Sequence, residues 1–285
     1  MTLPLSEPIH FALLCALFGL IVGSFLNVLI LRLPKMMEQS WRRECSEIMG
    51  QPMPAETTIS LSHPASHCPS CGAKIRPWHN IPLLSWLLLR GHCADCGATI
   101  SIRYPLVELI SGVLSALIGW QFGFGAEAFS ALLLVWSLVA LTVIDLDTQL
   151  LPDSLTLPLL WLGLTVNIFE TWAPLSSAVA GAIIGYGCLW CIYWLFKLTT
   201  GKEGMGYGDF KLLAALGAWF GWQAIPLMLL LSSLVGAVSG IVVLIVLRKG
   251  RDTPLPFGPY LAGAGLVMLF YGDTLITEYL RVVVP

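Results

Sequence analysis

The chain has 285 residues, of which 56% are hydrophobic and only 11% charged, with a formal net charge of -2 at pH 7 and a mean hydropathy of +0.80. A soluble domain carries about 25% charged residues. This composition excludes a water-soluble enzyme or a basic nucleic-acid binder and reads as an all-α polytopic membrane protein.

Runs of about 20 apolar residues are long enough to cross a bilayer as helices. Eight such runs follow one another, near 9–33, 104–123, 126–145, 151–170, 175–198, 209–223, 225–247 and 257–280. The sixth is shorter than the others. The first is preceded by "MTLPLSEP", which has no Lys or Arg and carries Glu7. A secretory signal has a basic n-region and a small-residue cleavage site, so the run is expected to be a retained anchor. The predicted organisation is an anchor over 1–33, a polar domain over 34–103 and a seven-helix membrane domain over 104–285.

Charge distribution orients these spans. Arg32, the polar domain, the turn after the fifth run with Lys197 and Lys211 beside it, and the turn after the seventh together hold fourteen of the fifteen Lys and Arg residues, leaving only Arg281. Eight alternating spans put all fourteen on one side. Positive loops stay cytoplasmic, so the polar domain is expected in the cytoplasm and both termini outside. Asp145 ends the third run and Asp209 begins the sixth, so the same count places both at the cytoplasmic membrane face.

The polar domain contains "HCPSCGAKI" and "GHCADCGATI". The spacing Cys68-x2-Cys71-x21-Cys93-x2-Cys96 is close to a two-knuckle zinc pattern. Four thiolates with no open position indicate structural zinc, and a reducing cytoplasm argues against disulfides. His67, His79 and His92 are expected to be surface or supporting residues. "IPLLSWLLL" (81–89) is too short to span. Cys15, Cys188 and Cys191 lie in membrane runs and are expected to be small core residues. Cys45 reads as a lone loop thiol.

Three carboxylates sit in "TVIDLDTQLLPDSLTLP" (142–158): Asp145, Asp147 and Asp153. A fourth, Asp209, sits in "GMGYGDFKLLAAL" (204–216). Two carboxylates held together titrate as a unit and can keep a water between an acid and a base. The residues alone leave the assignment open. Asp147 reads as a solvated loop carboxylate. Asp153 follows Pro152 and reads as satisfying free helix N–H groups. Asp209 is either half of a pair with Asp145 or a helix-start carboxylate facing the dipole. The glycines before Asp209 follow no strand, so they are not a dinucleotide fingerprint.

"IDLDTQLLPD" (144–153), "GMGYGDFKLLAALGAWFGW" (204–222), "GSFLNVLILRLP" (23–34) and "PFGPYLAGAG" (256–265) resemble, in the same order, the signature segments of type IV prepilin leader peptidases. These are membrane aspartic proteases of the Gly-x-Gly-Asp kind. The resemblance implies Asp209 as one catalytic aspartate, after Gly206-Tyr207-Gly208. It implies Asp145 as the other, seven residues before Pro152. Gly206 and Gly208 would then let an extended substrate backbone approach. The implied substrates are prepilins or type II secretion pseudopilins at a bacterial inner membrane, with lipid around the spans.

Relatives that carry a cysteine-rich cytoplasmic domain are bifunctional. They cut a basic leader after a Gly, then N-methylate the new N-terminal residue, usually Phe, with S-adenosylmethionine. The resemblance therefore implies that cofactor, although no donor-binding fingerprint is visible. Glu108 and Asn27 are the candidate methyltransferase residues. Glu108 would bind a cationic N-terminus, or else simply pair with Arg103 or Arg32. Asn27, with Ser24, is otherwise an interhelical hydrogen-bonding residue. A transporter using intramembrane carboxylates and a membrane thiol oxidoreductase using the CxxC pairs are the competing classes.

Overall fold

The computed structural model describes residues 8–50, 59–246 and 255–283. Arg248, Lys249 and Arg251, which the charge count uses, and Glu7 lie outside them. All eight apolar runs fold as helices: α1 (Pro8–Ile48), α3 (Arg103–Phe122), α4 (Ala126–Thr148), α5 (Asp153–Val166), α6 (Leu175–Thr200), α7 (Tyr207–Phe220), α8 (Ala224–Val246) and α9 (Gly258–Val283). The remaining short helix, α2 (Leu84–Leu88), comes from "IPLLSWLLL". In hydrocarbon a helix satisfies every backbone group internally, so continuous apolar runs have little alternative.

Six of these helices are long and apolar enough to cross a membrane. The exceptions are α5 and α7, each of 14 residues. Fourteen residues rise about 21 Å, against a hydrocarbon core of about 30 Å. The count of eight crossings is thus not reached by helix length alone.

The chain divides into two compact units, Met1–Ala140 and Leu141–Pro285. In the first, α1 lies along α3 through a seam of small residues. A Cβ at Gly23 would sit 2.7 Å from the Glu108 Cα, and one at Gly119 would sit 2.9 Å from the Ala12 Cα. Such residues let membrane helices approach closely. Cys15 is buried in this seam, as expected. Beyond Leu33, α1 continues through Pro34 to Ile48, so Cys45 lies exposed on a helix, not in a loop.

In the second unit α7 is the inner helix. From Phe210 to Phe220 every residue except Lys211 is buried. Its apolar residues run all the way round, the pattern of a helix enclosed by protein. Glycines set its distance from α6: a Cβ at Gly185 would meet the Leu213 carbonyl oxygen at 2.7 Å, and Gly181 and Gly217 abut each other's backbone. Trp219 fills the opposite side, over Gly163 of α5, and donates Nε1–H to the Leu159 carbonyl at 2.9 Å. The core reading of the α6 thiols is corrected: Cys191 is exposed and Cys188 half-buried, because α6 spends its buried face on Gly181, Gly185, Leu189 and Tyr193.

Candidate active site and cysteine cluster

Asp145 lies in the last turn of α4 and is buried. Its Oδ2 accepts the backbone N–H of Gly258, the first residue of α9, at 2.9 Å. Asp147, two residues on, is still helical but exposed. Positions i and i+2 of a helix do not share a face, so burying one exposes the other. Asp153 is the acidic residue in the first turn of α5, as expected of a helix-start carboxylate. It receives Lys211 Nζ at 2.6 and 2.7 Å, tying the start of α5 to α7.

Asp209 occupies the first turn of α7 and is 7% exposed. Its Oδ1 is buried with no hydrogen-bond partner among the described residues. Gly208, beside Asp209, and Gly258, which binds Asp145, both close on one side chain, Leu151. Leu151 organises the space around the pair. A Cβ at Gly208 would sit 2.7 Å from Leu151 Cβ, and one at Gly258 would sit 3.2 Å from Leu151 Cδ2. Gly206 differs, since the nearest atom to its Cβ position is Asp209 Oδ2, at 3.7 Å.

The segment leading into α7 is anchored. Gly201 ends α6 in the left-handed region, at φ +71°, with its N–H on the Lys197 carbonyl. That conformation favours glycine. Lys197 Nζ reaches Glu203 at 2.8 Å and the Tyr193 hydroxyl at 3.1 Å. The ammonium holds the exposed Glu203 carboxyl below its usual range. At the other end of α7, Asn167 donates Nδ2–H to the carbonyls of Ala218 and Trp219 at 2.8 and 2.9 Å. Its Oδ1 accepts the N–H groups of Trp172 and Ala173 at 3.0 and 3.1 Å.

In the first unit the two cysteine segments fold alike. Cys68 N–H donates to Ala73 O and Gly72 N–H to Cys68 O; Cys93 N–H donates to Ala98 O and Gly97 N–H to Cys93 O. Gly72 and Gly97 both stand at φ +72°, which only glycine adopts without strain. Among the described residues, extended chain pairs in two isolated bridges, His67 with Lys74 and His92 with Thr99. The four Sγ atoms lie within 4.8 Å of one another, with Cys68 and Cys96 at 3.9 Å. A tetrahedron of about 2.3 Å zinc–sulfur bonds has edges of about 3.8 Å, so the four thiols fit zinc. His67 and His92 are exposed and hydrogen-bond the carbonyls of Ala65 and Arg90.

Glu108 and Asn27 are buried, at 8% and 7% exposure. Glu108 Oε2 accepts the Leu83 N–H at 2.9 Å, and Asn27 Nδ2 donates to the Tyr104 carbonyl at 3.0 Å. Arg32 reaches the carbonyls of Ser60, Leu61 and Pro64. Its guanidinium thus docks the entry to the cysteine domain.

Two family models match the chain. Residues 17–122 match the bacterial peptidase A24 N-terminal domain, and residues 132–241 match the type IV leader peptidase family. A "Prepilin leader peptidase/N-methyltransferase" of Stutzerimonas stutzeri is 56% identical over 277 residues, 97% of this chain and 96% of the relative. The chain belongs to the type IV leader peptidase family. A relative of the same name from Pseudomonas aeruginosa is 56% identical with the same coverage. One from Xanthomonas campestris is 52% identical over 92% of each chain. No solved structure matches. Membership together with the apolar helices makes this a bacterial inner-membrane protein. Within the family framework, Gly258, Leu151 and Asn167 are the residues that reading the sequence did not single out. The "PFGPYLAGAG" segment was noticed only as a likeness, and nothing local says that its first glycine meets a carboxylate 113 positions away.

Proposed function

We infer that this chain removes the leader peptide from prepilin-type substrates and then N-methylates the new N-terminal residue. The supporting observation is the buried Asp145 and Asp209, whose neighbours Gly258 and Gly208 both close on Leu151, in a chain matched over 97% of its length by prepilin leader peptidase/N-methyltransferases.

In the proposed mechanism the two aspartates share one proton and hold a water. The ionised carboxylate takes a proton as the water oxygen bonds to the scissile carbonyl carbon. The protonated carboxyl gives its proton to the carbonyl oxygen. The C–N bond then breaks as the leaving amine takes up a proton. Gly206 and Gly208 are the proposed approach for the substrate backbone, and Gly208 also closes on Leu151.

The substrates are type IV prepilins or type II secretion pseudopilins, with a basic leader in the cytoplasm and an apolar helix in the bilayer. The scissile bond then lies at the cytoplasmic interface. Fourteen of the fifteen basic residues support that sidedness, with both termini periplasmic, provided α5 and α7 count as crossings. The 34–103 segment is proposed as the methylation-associated domain, on structural zinc held by Cys68, Cys71, Cys93 and Cys96. Segments 1–33 and 104–285 are the proposed anchor and peptidase. Glu108 and Asn27, both buried, are the proposed methyltransferase residues. The methyl group comes from S-adenosylmethionine when it is bound.

Mass spectrometry of a prepilin co-expressed with this chain tests the reading. The expected product is shortened at a Gly–Phe bond, gains one methyl group, and is absent with Asp209→Ala. An uncut substrate beside folded, membrane-inserted enzyme overturns it.

A further inference from the structure

A groove of about 440 Å³ opens in the first unit, lined by α1, the first turns of α3 and both cysteine segments. Its size is that of a small-molecule site. Three features define its chemistry. The first is Glu108, a carboxylate only 8% exposed, whose partners are neutral: the Leu83 N–H and the Ser24 hydroxyl. Arg32, which also lines the groove, does not neutralise it, being spent on backbone carbonyls.

The second feature is the strained turn that presents that N–H. Leu83 stands at φ +60°, ψ −49°, and the Leu84 N–H reaches back to the Pro82 carbonyl at 2.6 Å. This is a γ-turn of the rare, strained hand. Such conformations persist where the surroundings hold them, often at ligand clamps. The third is an aromatic surround with one charge of each sign. The half-exposed indole of Trp86 and the exposed side chains of Lys74 and Asp95 border the same space.

A buried carboxylate with neutral partners favours a cation. The surround suits a flat apolar ring and a zwitterionic end. We propose that this groove binds the methyl donor, an adenosyl sulfonium with an amino-acid tail, with Glu108 facing the sulfonium. This rests on the methyltransferase reading above but concerns binding alone.

The test is equilibrium binding to the purified full chain in detergent, using S-adenosylmethionine and its neutral thioether, S-adenosylhomocysteine. Glu108→Gln is expected to weaken S-adenosylmethionine about tenfold or more, as for a lost charged contact. The thioether is expected to change less than about threefold, because it lacks the charge. Ala98→Trp, which fills the groove, is expected to lose both ligands. Wild type binding neither ligand overturns the proposal. So does unchanged binding in both variants, or an equal loss of the two ligands in Glu108→Gln. If Ala98→Trp fails to fold by thermal melting, the Glu108→Gln comparison decides alone. Binding that behaves as expected in an enzyme that never methylates a cleaved pilin sinks the methyltransferase reading and leaves the groove standing.

Discussion

The backbone N–H of Gly258 donates to Oδ2 of Asp145 at 2.9 Å, joining the first residue of α9 to the last turn of α4. The approach depends on the missing side chain. A Cβ at Gly258 would sit 2.6 Å from that same oxygen, well inside contact distance. Gly258→Ala is expected to displace the carboxylate and lower leader cleavage about 100-fold, the scale of a misplaced reacting group. S-Adenosylhomocysteine binding in the first unit is expected to stay unchanged. Cleavage within threefold of wild type, with the variant folded, would remove Gly258 from the positioning of Asp145.

Asp145 and Asp147 give a paired control. Asp145→Asn and Asp209→Asn are each expected to abolish cleavage in a folded, inserted protein. Asp147→Asn, at an exposed position, is expected to cleave within about threefold of wild type, as a surface change of under about 0.5 kcal/mol would. The readout is the mass of the pilin. Cleavage surviving in either of the first two variants would dissolve the pair.

The cysteine cluster predicts one zinc per chain, measured by elemental analysis of purified enzyme. Removing it with a chelator is expected to expose residues 59–101 to protease and to free four titratable thiols. Metal binding and folding are coupled in so small a domain. A protease-resistant domain after complete chelation would count against a structural metal. Redox-active CxxC pairs without zinc would instead favour the thiol oxidoreductase.

Asn167 is fully buried and uses both ends of its amide, two carbonyls on one side and two N–H groups on the other. Asn167→Ala leaves those backbone groups unpaired, and each buried unpaired group costs about 1–3 kcal/mol. Thermal melts in detergent are expected to fall, with cleavage lost in parallel as α7 loosens. By contrast Lys211–Asp153, 28% and 56% exposed, is expected to contribute under about 1 kcal/mol. A melt insensitive to Asn167→Ala would show that the end of α7 is held by packing alone.

Much was legible along the chain because the bilayer leaves few choices. Eight apolar runs become eight helices, and "HCPSCGAKI" and "GHCADCGATI" become two like-folded knuckles because each carries its own turn glycine. The likeness to the peptidases singles out Asp145 over Asp147; that the first is buried and the second exposed is a matter of helix packing that the sequence does not show. Other relationships stay hidden for a common reason. Asp153 is a helix-start carboxylate, as it reads locally, yet its partner Lys211 lies 58 positions away. Cys191 reads as core from its run, yet which side of α6 is buried depends on the glycines of α7.

By itself, then, the sequence determined the membrane class, the helical segments, the paired Cys-x2-Cys segments and the family, all of which depend on composition or short spacing. Only the tertiary structure decided that Gly258 holds Asp145, that Leu151 closes on two glycines, and that Leu83 bends under strain to meet Glu108. It also decided that α5 and α7 stop at 14 residues each. Each of those relationships is set by which helices approach closely enough to exclude a side chain, and that distance is a property of the packed pair, not of either segment.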